Sequence, residues 1–353
     1  MKRLGTLLLA AALVTSALTG CVGNAATASD PVSSIATAST PATKTDAKVK
    51  VGLGIVTTVA SSTEAGEKDG AAKGNSFIAA VMLDQDEKII ACNLDVLQST
   101  INFSKEGKVL TDLSTEFKTK QELKDDYGMK KASSIGKEWY EQANSFSAYV
   151  IGKTLAEIKG IAVNETGVAT GAELNASVTI KLPDYIAAIE KAVQNAVETS
   201  ATVEDQLGFA VVNNIKKSKD AGEAAGVAQT YTIYSAVTVG ADEKITSCVI
   251  DSSQATVNFD TNGKITNDIS VDVKTKNELK NDYGMQKVSK IGKEWYEQAG
   301  AYAEYVVGKT SAEVSGIAVD EGGKATDAEL LAGVTVSVGD FNAVVAKAIS
   351  NAK

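Results

Sequence analysis

Lys118–Ala143 reads KTKQELKDDYGMKKASSIGKEWYEQA, and Lys274–Ala299 reads KTKNELKNDYGMQKVSKIGKEWYEQA. Twenty-one of these 26 positions are identical. Extending the match outward aligns residues 51–197 with 207–353 at a constant offset of 156, without a gap. Each copy has the length of a complete domain and is far longer than a solenoid repeat. The expected organisation is two tandem homologous domains, 51–197 and 207–353, joined by a linker at 198–206.

Within one copy the first half reads as strand. Gly52 to Ala60 and Phe77 to Leu83 are apolar and β-branched; Asp84 to Glu87 is a turn, and Lys88 to Val96 is its hairpin partner. Thr100 to Phe103 and Lys108 to Asp112 read as further strands around the Glu106-Gly107 turn. The second half reads as short helices. Capping boxes stand at Thr119/Glu122 and Thr154/Glu157, and again at Thr275/Glu278 and Thr310/Glu313. Ile135, Trp139, Ala143, Phe146 and Val150 share one helix face, as do Ile291, Trp295, Ala299, Tyr302 and Val306. A last helix starting at Asp184 or Asp340 buries Tyr185, Ile189 and Val193, or Phe341, Val345 and Ile349. Strands first and helices later, without βαβ alternation, imply an α+β fold: a mostly antiparallel sheet packed with short helices in each copy.

The N-terminus reads as a targeting segment. Lys2 and Arg3 precede the apolar run Leu7 to Val14, which ends in Leu18-Thr19-Gly20-Cys21. That order implies a lipoprotein signal peptide over residues 1–20, with Cys21 as the lipidated N-terminus of the mature chain. Residues 21–50, rich in Ala, Thr and Ser, then read as a flexible tether to the outer face of the membrane.

Composition removes several kinds of chemistry. The chain has no histidine, which excludes Ser-His-Asp and Cys-His catalysis and every His-based metal site. Beyond Cys21 there are only Cys92 and Cys248, one per copy, so no Cys-rich metal site is expected, and both read as free thiols in strands. A formal charge of −9 without a basic stripe argues against nucleic acid as a partner. Acids are plentiful, but no spacing singles out a hydrolytic carboxylate pair.

Two segments stand out as chemistry-bearing. One is Lys124 to Met129 (KDDYGM) with Ile135 to Tyr140; the other is Ala176-Ser-Val-Thr-Ile180, matched by Ala332-Gly-Val-Thr-Val336. This arrangement, in tandem on a lipid anchor, resembles the FMN-binding-domain lipoproteins of the pheromone-lipoprotein type, which serve extracellular electron transfer in Gram-positive bacteria. The resemblance covers both copies, about 51–353. It implies covalent FMN on Thr179 and Thr335 through a phosphoester, and an electron-transfer protein rather than an enzyme with its own substrate. The implied partners are an FMN transferase, a quinone-linked membrane dehydrogenase as donor, and extracellular acceptors such as ferric iron. The usual Ser-Gly-Ala-Thr of the family stands here as Ala-Ser-Val-Thr and Ala-Gly-Val-Thr. The upstream acid of the family stands as Asp327 in the second copy and as Gly171 in the first, with Glu173 and Glu329 as nearer alternatives. Leu13 to Gly20 would correspond to the peptide pheromone that some relatives release.

The residues themselves give each site a second reading. Small residues before the threonines let backbone approach a phosphate, and the following helix N-terminus favours anions, yet Val-Thr-Ile is also ordinary strand text. Tyr127, Gly128 and Met129, with Tyr283, Gly284 and Met285, lie past a helix end where they can meet a flat ring system; Gly128 also reads as a helix stop. Trp139 and Trp295 read as core. Asp126 and Glu138 read equally as surface acids or as ring-edge contacts. The competing function is a non-redox surface lipoprotein acting as a ligand-binding or adhesion module.

Overall fold

The computed structural model describes residues 47–352. The expected signal peptide, the lipidated Cys21 and most of the tether lie outside the described residues. Strands β1 (Lys48–Thr58), β2 (Gly70–Leu83) and β3 (Ile89–Phe103) form an antiparallel meander. Helices α1 (Lys120–Leu123), α2 (Trp139–Val150), α3 (Leu155–Lys159), α4 (Ala172–Asn175) and α5 (Pro183–Gln194) follow. The connection forms β4 (Val197–Thr202), and the second copy opens with β5 (Gln206–Asn214), β6 (Gly226–Val239) and β7 (Ile245–Phe259). It closes with α6 (Lys276–Leu279), α7 (Trp295–Val306), α8 (Ser311–Ser315), α9 (Ala328–Gly333) and α10 (Gly339–Ser350). The fold is α+β, with sheet orders β3-β2-β1-β4 and β5-β6-β7.

Several boundaries differ from the sequence reading. Most of 198–206 is strand: β4 pairs with β1, so the connection is built into the first sheet, and β1 itself takes Lys48 to Lys50 from the expected tether. Thr100 to Phe103 continue β3 rather than starting a new strand, and Lys108 to Asp112 make only an isolated bridge, Phe103 to Val109. Helices α2 and α7 begin at Trp139 and Trp295, because Glu138 and Glu294 form capping boxes there. Ile135 and Ile291 therefore sit in the preceding loops.

Each sheet is covered on both faces. On β2, Ala79, Val81 and Leu83 face the helices, while Ile78, Ala80 and Met82 face the other sheet, the period-2 alternation of a strand. Val49, Val51, Leu53 and Ile55 of β1 pack in one cluster with Leu207, Phe209, Val211 and Tyr234 of the second copy. The layers therefore run helices, sheet, sheet, helices. A polar seam crosses the buried interface: Tyr234 Oη lies 3.1 Å from Ser76 Oγ and 2.7 Å from Ser253 Oγ, and Thr230 Oγ1 donates to Ser99 Oγ at 2.8 Å. Each of these hydroxyls is satisfied, so the polar layer sits inside the core without an orphaned group among them.

The contacts between copies are reciprocal. Lys347 pairs with Glu122 at 2.5 Å and Lys191 with Glu278 at 2.6 Å, and each pair is the other shifted by the repeat offset. Ala65 N donates to Gly263 O and Ala221 N to Gly107 O, both across the interface. Phe103 stacks on its own counterpart Phe259 at 4.3 Å between centroids, 10° from parallel.

The helices are held to the sheets by close approach. A Cβ on Gly52 would lie 1.9 Å from Ala192 O, and one on Gly54 2.1 Å from Ala188 O, so α5 lies directly on the backbone of β1. Beyond its short pairing with β4, β1 leaves carbonyls unpaired, and α5 satisfies them. Lys191 Nζ donates to Ile55 O at 3.0 Å and Asn195 Nδ2 to Leu53 O at 3.1 Å. Lys347 of α10 and its C-cap residue Asn351 do the same for Val211 and Phe209 of β5. These side chains close the sheet edges that would otherwise offer free backbone groups.

Gly52→Ala is expected to destabilise the protein by about 2 kcal/mol, because the backbone it meets cannot move aside. Gly66→Ala, where a Cβ meets nothing within 4 Å, is expected to change stability by less than about 0.5 kcal/mol. Urea unfolding of the two variants beside the parent chain checks both.

Candidate functional site

Asp95 starts the local build. It sits on β3, 5 % exposed, and its Oδ1 accepts from its neighbour Val96 N at 2.7 Å and from Gln121 N of α1 at 3.1 Å. The carboxylate thus fixes the first turn of α1 and places Lys120 inward. Asp251 repeats this with Ser252 N and Asn277 N, and places Lys276. Burial pushes both carboxyls up to about 7. Burial likewise pulls the Lys120 ammonium down to about 8 and that of Lys276 to about 7.

Lys124 ends α1 at φ 47°, ψ −118°, a backbone state that costs a lysine of order 1–3 kcal/mol. Lys280 repeats it at φ 48°. The bend turns the chain into a 3-10 turn, Lys124–Tyr127, which brings the Tyr127 ring back over Lys120, 4.4 Å from Nζ to the centroid. Trp139 approaches the same ammonium at 5.4 Å. Gly128 follows at φ 74°, as a left-handed stop. The loop after it is held by Glu138, which is buried rather than a surface acid: its two carboxylate oxygens accept from Met129 N at 2.8 Å and Lys130 N at 2.9 Å. Asp126 is exposed.

Thr179 lies in the turn between α4 and α5, not in a strand. Gln142, fully buried on α2, accepts three hydrogen bonds there through Oε1: from Thr179 N at 2.7 Å, Thr179 Oγ1 at 3.1 Å and Ile180 N at 3.2 Å. Its amide nitrogen donates to Ser133 Oγ and Lys137 O, which fixes which end faces the threonine. Gln298 holds Thr335 N at 2.8 Å, Thr335 Oγ1 at 3.2 Å and Val336 N at 3.2 Å in the same way. Neither glutamine was singled out in the sequence reading. Both stand in the near-identical segment on the apolar face of α2 and α7, which is the one signal that marks them.

These pieces surround a cavity of about 660 Å³ in the first copy. Tyr127, Met129, Trp139 and Thr179 line it together with Lys120, Phe77, Tyr185, Asn164 and Asn175. The first-copy residues expected at the site thus line one cavity, except that Gly128 acts through its conformation and is not part of the wall. Trp139 is core and wall at once: its Nε1 donates to Tyr185 Oη at 2.7 Å. In the second copy Tyr283 and Trp295 each lie 4.7 Å from Lys276 Nζ, and Tyr283 and Met285 pack half-buried against the core.

Comparison with known proteins adds little to this geometry. No known family profile matches the chain, and no solved structure matches it. A chlorophenol reductase from Desulfitobacterium hafniense is 49% identical to it over 43 residues. That stretch is 12% of this chain and 13% of the reductase.

Other expected features have structural employment. Asp327 caps α9 by accepting from Leu330 N at 3.0 Å, and Gly171 stands at the same cap position of α4. Glu173 and Glu329 are exposed. Ala332 and Gly333 belong to α9, and a Cβ on Gly333 would lie 3.1 Å from Ala301 Cβ, so the small size of Gly333 serves the packing of α9 on α7. Cys92 and Cys248 are free thiols whose burial pushes them up to about 12, which disfavours the reactive thiolate.

Gln142→Leu is expected to cost about 3 kcal/mol, since it strands two backbone N–H groups and a hydroxyl. Urea unfolding measures it. The buried charges also set the pH dependence. Between the ordinary 3.8 and about 7, the folded protein keeps protons on Asp95 and Asp251 that the unfolded chain has lost. Stability therefore falls as pH rises through that window, by roughly 1.4 kcal/mol per pH unit for each group at the steepest point. Between about 8 and 10.5 the unfolded chain holds the proton that folded Lys120 has lost, and stability rises again. Unfolding at pH 5, 7.5 and 9.5 should show the minimum in the middle, and Asp95→Asn should roughly halve the acid limb, leaving the part that Asp251 contributes.

Proposed function

We propose that this chain is a lipid-anchored, extracytosolic flavoprotein electron carrier with FMN attached through a phosphoester to Thr179 and Thr335. One observation carries the reading: a threonine hydroxyl, held by a buried glutamine, on the wall of a cavity lined by flat aromatic rings. The threonine and its glutamine recur in the second copy. The volume is within the range of small-molecule and cofactor sites. Tyr127, Trp139, Phe77 and Tyr185 offer rings, and Met129 a polarizable edge, to a planar ring system.

The glutamine clamp suits ester formation. The transferase would take FMN from a flavin dinucleotide: the bond from Thr179 Oγ1 to phosphorus forms as the pyrophosphate bond breaks, the nucleoside monophosphate leaves and the hydroxyl proton is given up. Gln142 Oε1 would keep two backbone N–H donors. The turn stays in place before and after attachment. Flavin supplies the reversible electron chemistry when bound. The protein supplies position, an enclosing wall and two carriers on one anchored chain. A quinone-linked membrane dehydrogenase is the proposed donor, and extracellular species such as ferric iron are the acceptors. The short match to a chlorophenol reductase carries no substrate over to this chain.

The test is intact mass of the full chain, exported from a host that also expresses an FMN transferase. The expected result is two FMN adducts, one lost with Thr179→Ala and the other with Thr335→Ala. A colourless, unmodified protein beside a control substrate that is flavinylated would overturn the carrier reading and move the assignment to a ligand-binding module.

A further inference from the structure

Lys120 has an unusual position for its charge. Its side chain is buried, 8 % exposed, and it lines the same cavity as Thr179. Among the described residues its ammonium makes no hydrogen bond and no ion pair; its near neighbours are the faces of Tyr127 and Trp139, and the buried Asp95 carboxyl acts on it at longer range. Burying an ammonium against π faces, with a carboxyl near but not hydrogen-bonded to it, leaves most of its lost hydration unreplaced. The second copy differs at this point. Lys276 donates to Tyr231 Oη at 3.2 Å, and Tyr231 stands where the first copy has Asn75. Asn75 is turned elsewhere and accepts from Gln98, whose own carbonyl receives the Tyr127 hydroxyl at 3.3 Å. The first copy therefore keeps a cation facing its cavity that the second has already partnered.

We propose that Lys120 is the binding group for the charge of the reduced flavin, its ammonium compensating the single negative charge on the pyrimidine edge of the ring system. This rests on the flavin reading above. The charge balance is simple: two electrons from the donor and one proton from solvent leave the ring system with one net negative charge. The aromatic surroundings assign Lys120 to the ring end of the cavity. The phosphate end lies at Thr179, where Asn175 and the exposed Lys181 flank it in the chain. Lys120 remains mostly protonated at neutral pH, because its burial lowers it only to about 8. A cation at that edge favours the reduced form over the oxidised one, so it raises the reduction potential of the first-copy flavin.

The test uses the full chain carrying Thr335→Ala, exported with an FMN transferase so that one flavin sits at Thr179. Lys120, Lys120→Met and Lys120→Arg are compared by intact mass and by spectroelectrochemical titration, with Lys120→Gln as a second neutral variant and thermal unfolding as the fold control. Loss of the charge in the Met and Gln variants should weaken stabilisation of the reduced form about tenfold, lowering the two-electron potential by about 30 mV, while Arg keeps it near the parent value. A potential unchanged in Met, or lowered equally in Arg, overturns the proposal and leaves the flavin reading standing. A reduced attached fraction in the Met and Gln variants, with the flavin that is attached keeping the parent potential, places the ammonium at the phosphate end and also overturns it. Absence of flavin from every form, the parent included, defeats the flavin reading and this proposal with it.

Discussion

The face-to-face packing of the two sheets is the contact on which everything else in this molecule rests. Each meander has apolar residues on both faces, and neither face can be left to water without exposing a row of Val, Ile, Leu and Phe. Burying the inner faces against one another leaves the outer faces for the helices. That fixes where α1, α2 and α5 lie, and so where the cavity opens. The seam of Tyr234, Ser76, Ser253, Thr230 and Ser99 adds direction to an interface that apolar packing alone would leave free to slide.

The site is a second layer of consequence. Asp95 on the sheet fixes α1, α1 points Lys120 inward, the bend at Lys124 returns Tyr127 over it, and Glu138 ties down the loop that follows. Gln142 reaches from α2 to hold the threonine turn. Five side chains on four separate segments converge, and four of the five are buried polar or charged groups. Such groups are expensive to bury, and the fold keeps a matched set in both copies.

Much of this was legible in the residues. The capping boxes at Thr119, Thr154, Thr275 and Thr310 marked helix starts because a hydroxyl and a carboxylate three apart have one strong use. The hairpin of β2 and β3 followed from alternation and a turn. Strand reading failed at Lys108 to Asp112, where local propensity had no ladder to join. It also missed β4, whose Glu, Thr and Ser read as linker and become strand only because β1 offers an edge. At the first-copy cavity, Tyr127, Met129 and Thr179 were legible as neighbours, while Gln142 and Lys120 were not. A glutamine on an apolar helix face and a lysine inside a capping box look like surface text, and their roles depend on contacts 37 residues along the chain or across a turn. Glu138 was left open between two readings and took a third, as an acceptor for backbone N–H groups.

The reciprocity between the copies has a consequence for how such a chain could have arisen. Contacts in which position i meets j and j meets i, with one residue stacking on its own counterpart at the centre, are those of a two-fold symmetric homodimer. Here the two partners are one polypeptide, and β4 is the splice. An association that would dissolve on dilution has become intramolecular, so its occupancy no longer depends on concentration. Joining the copies also released each from the need to match the other, and the exchange of Asn75 for Tyr231 beside otherwise equivalent lysines is the kind of divergence that a symmetric dimer of identical chains could never hold.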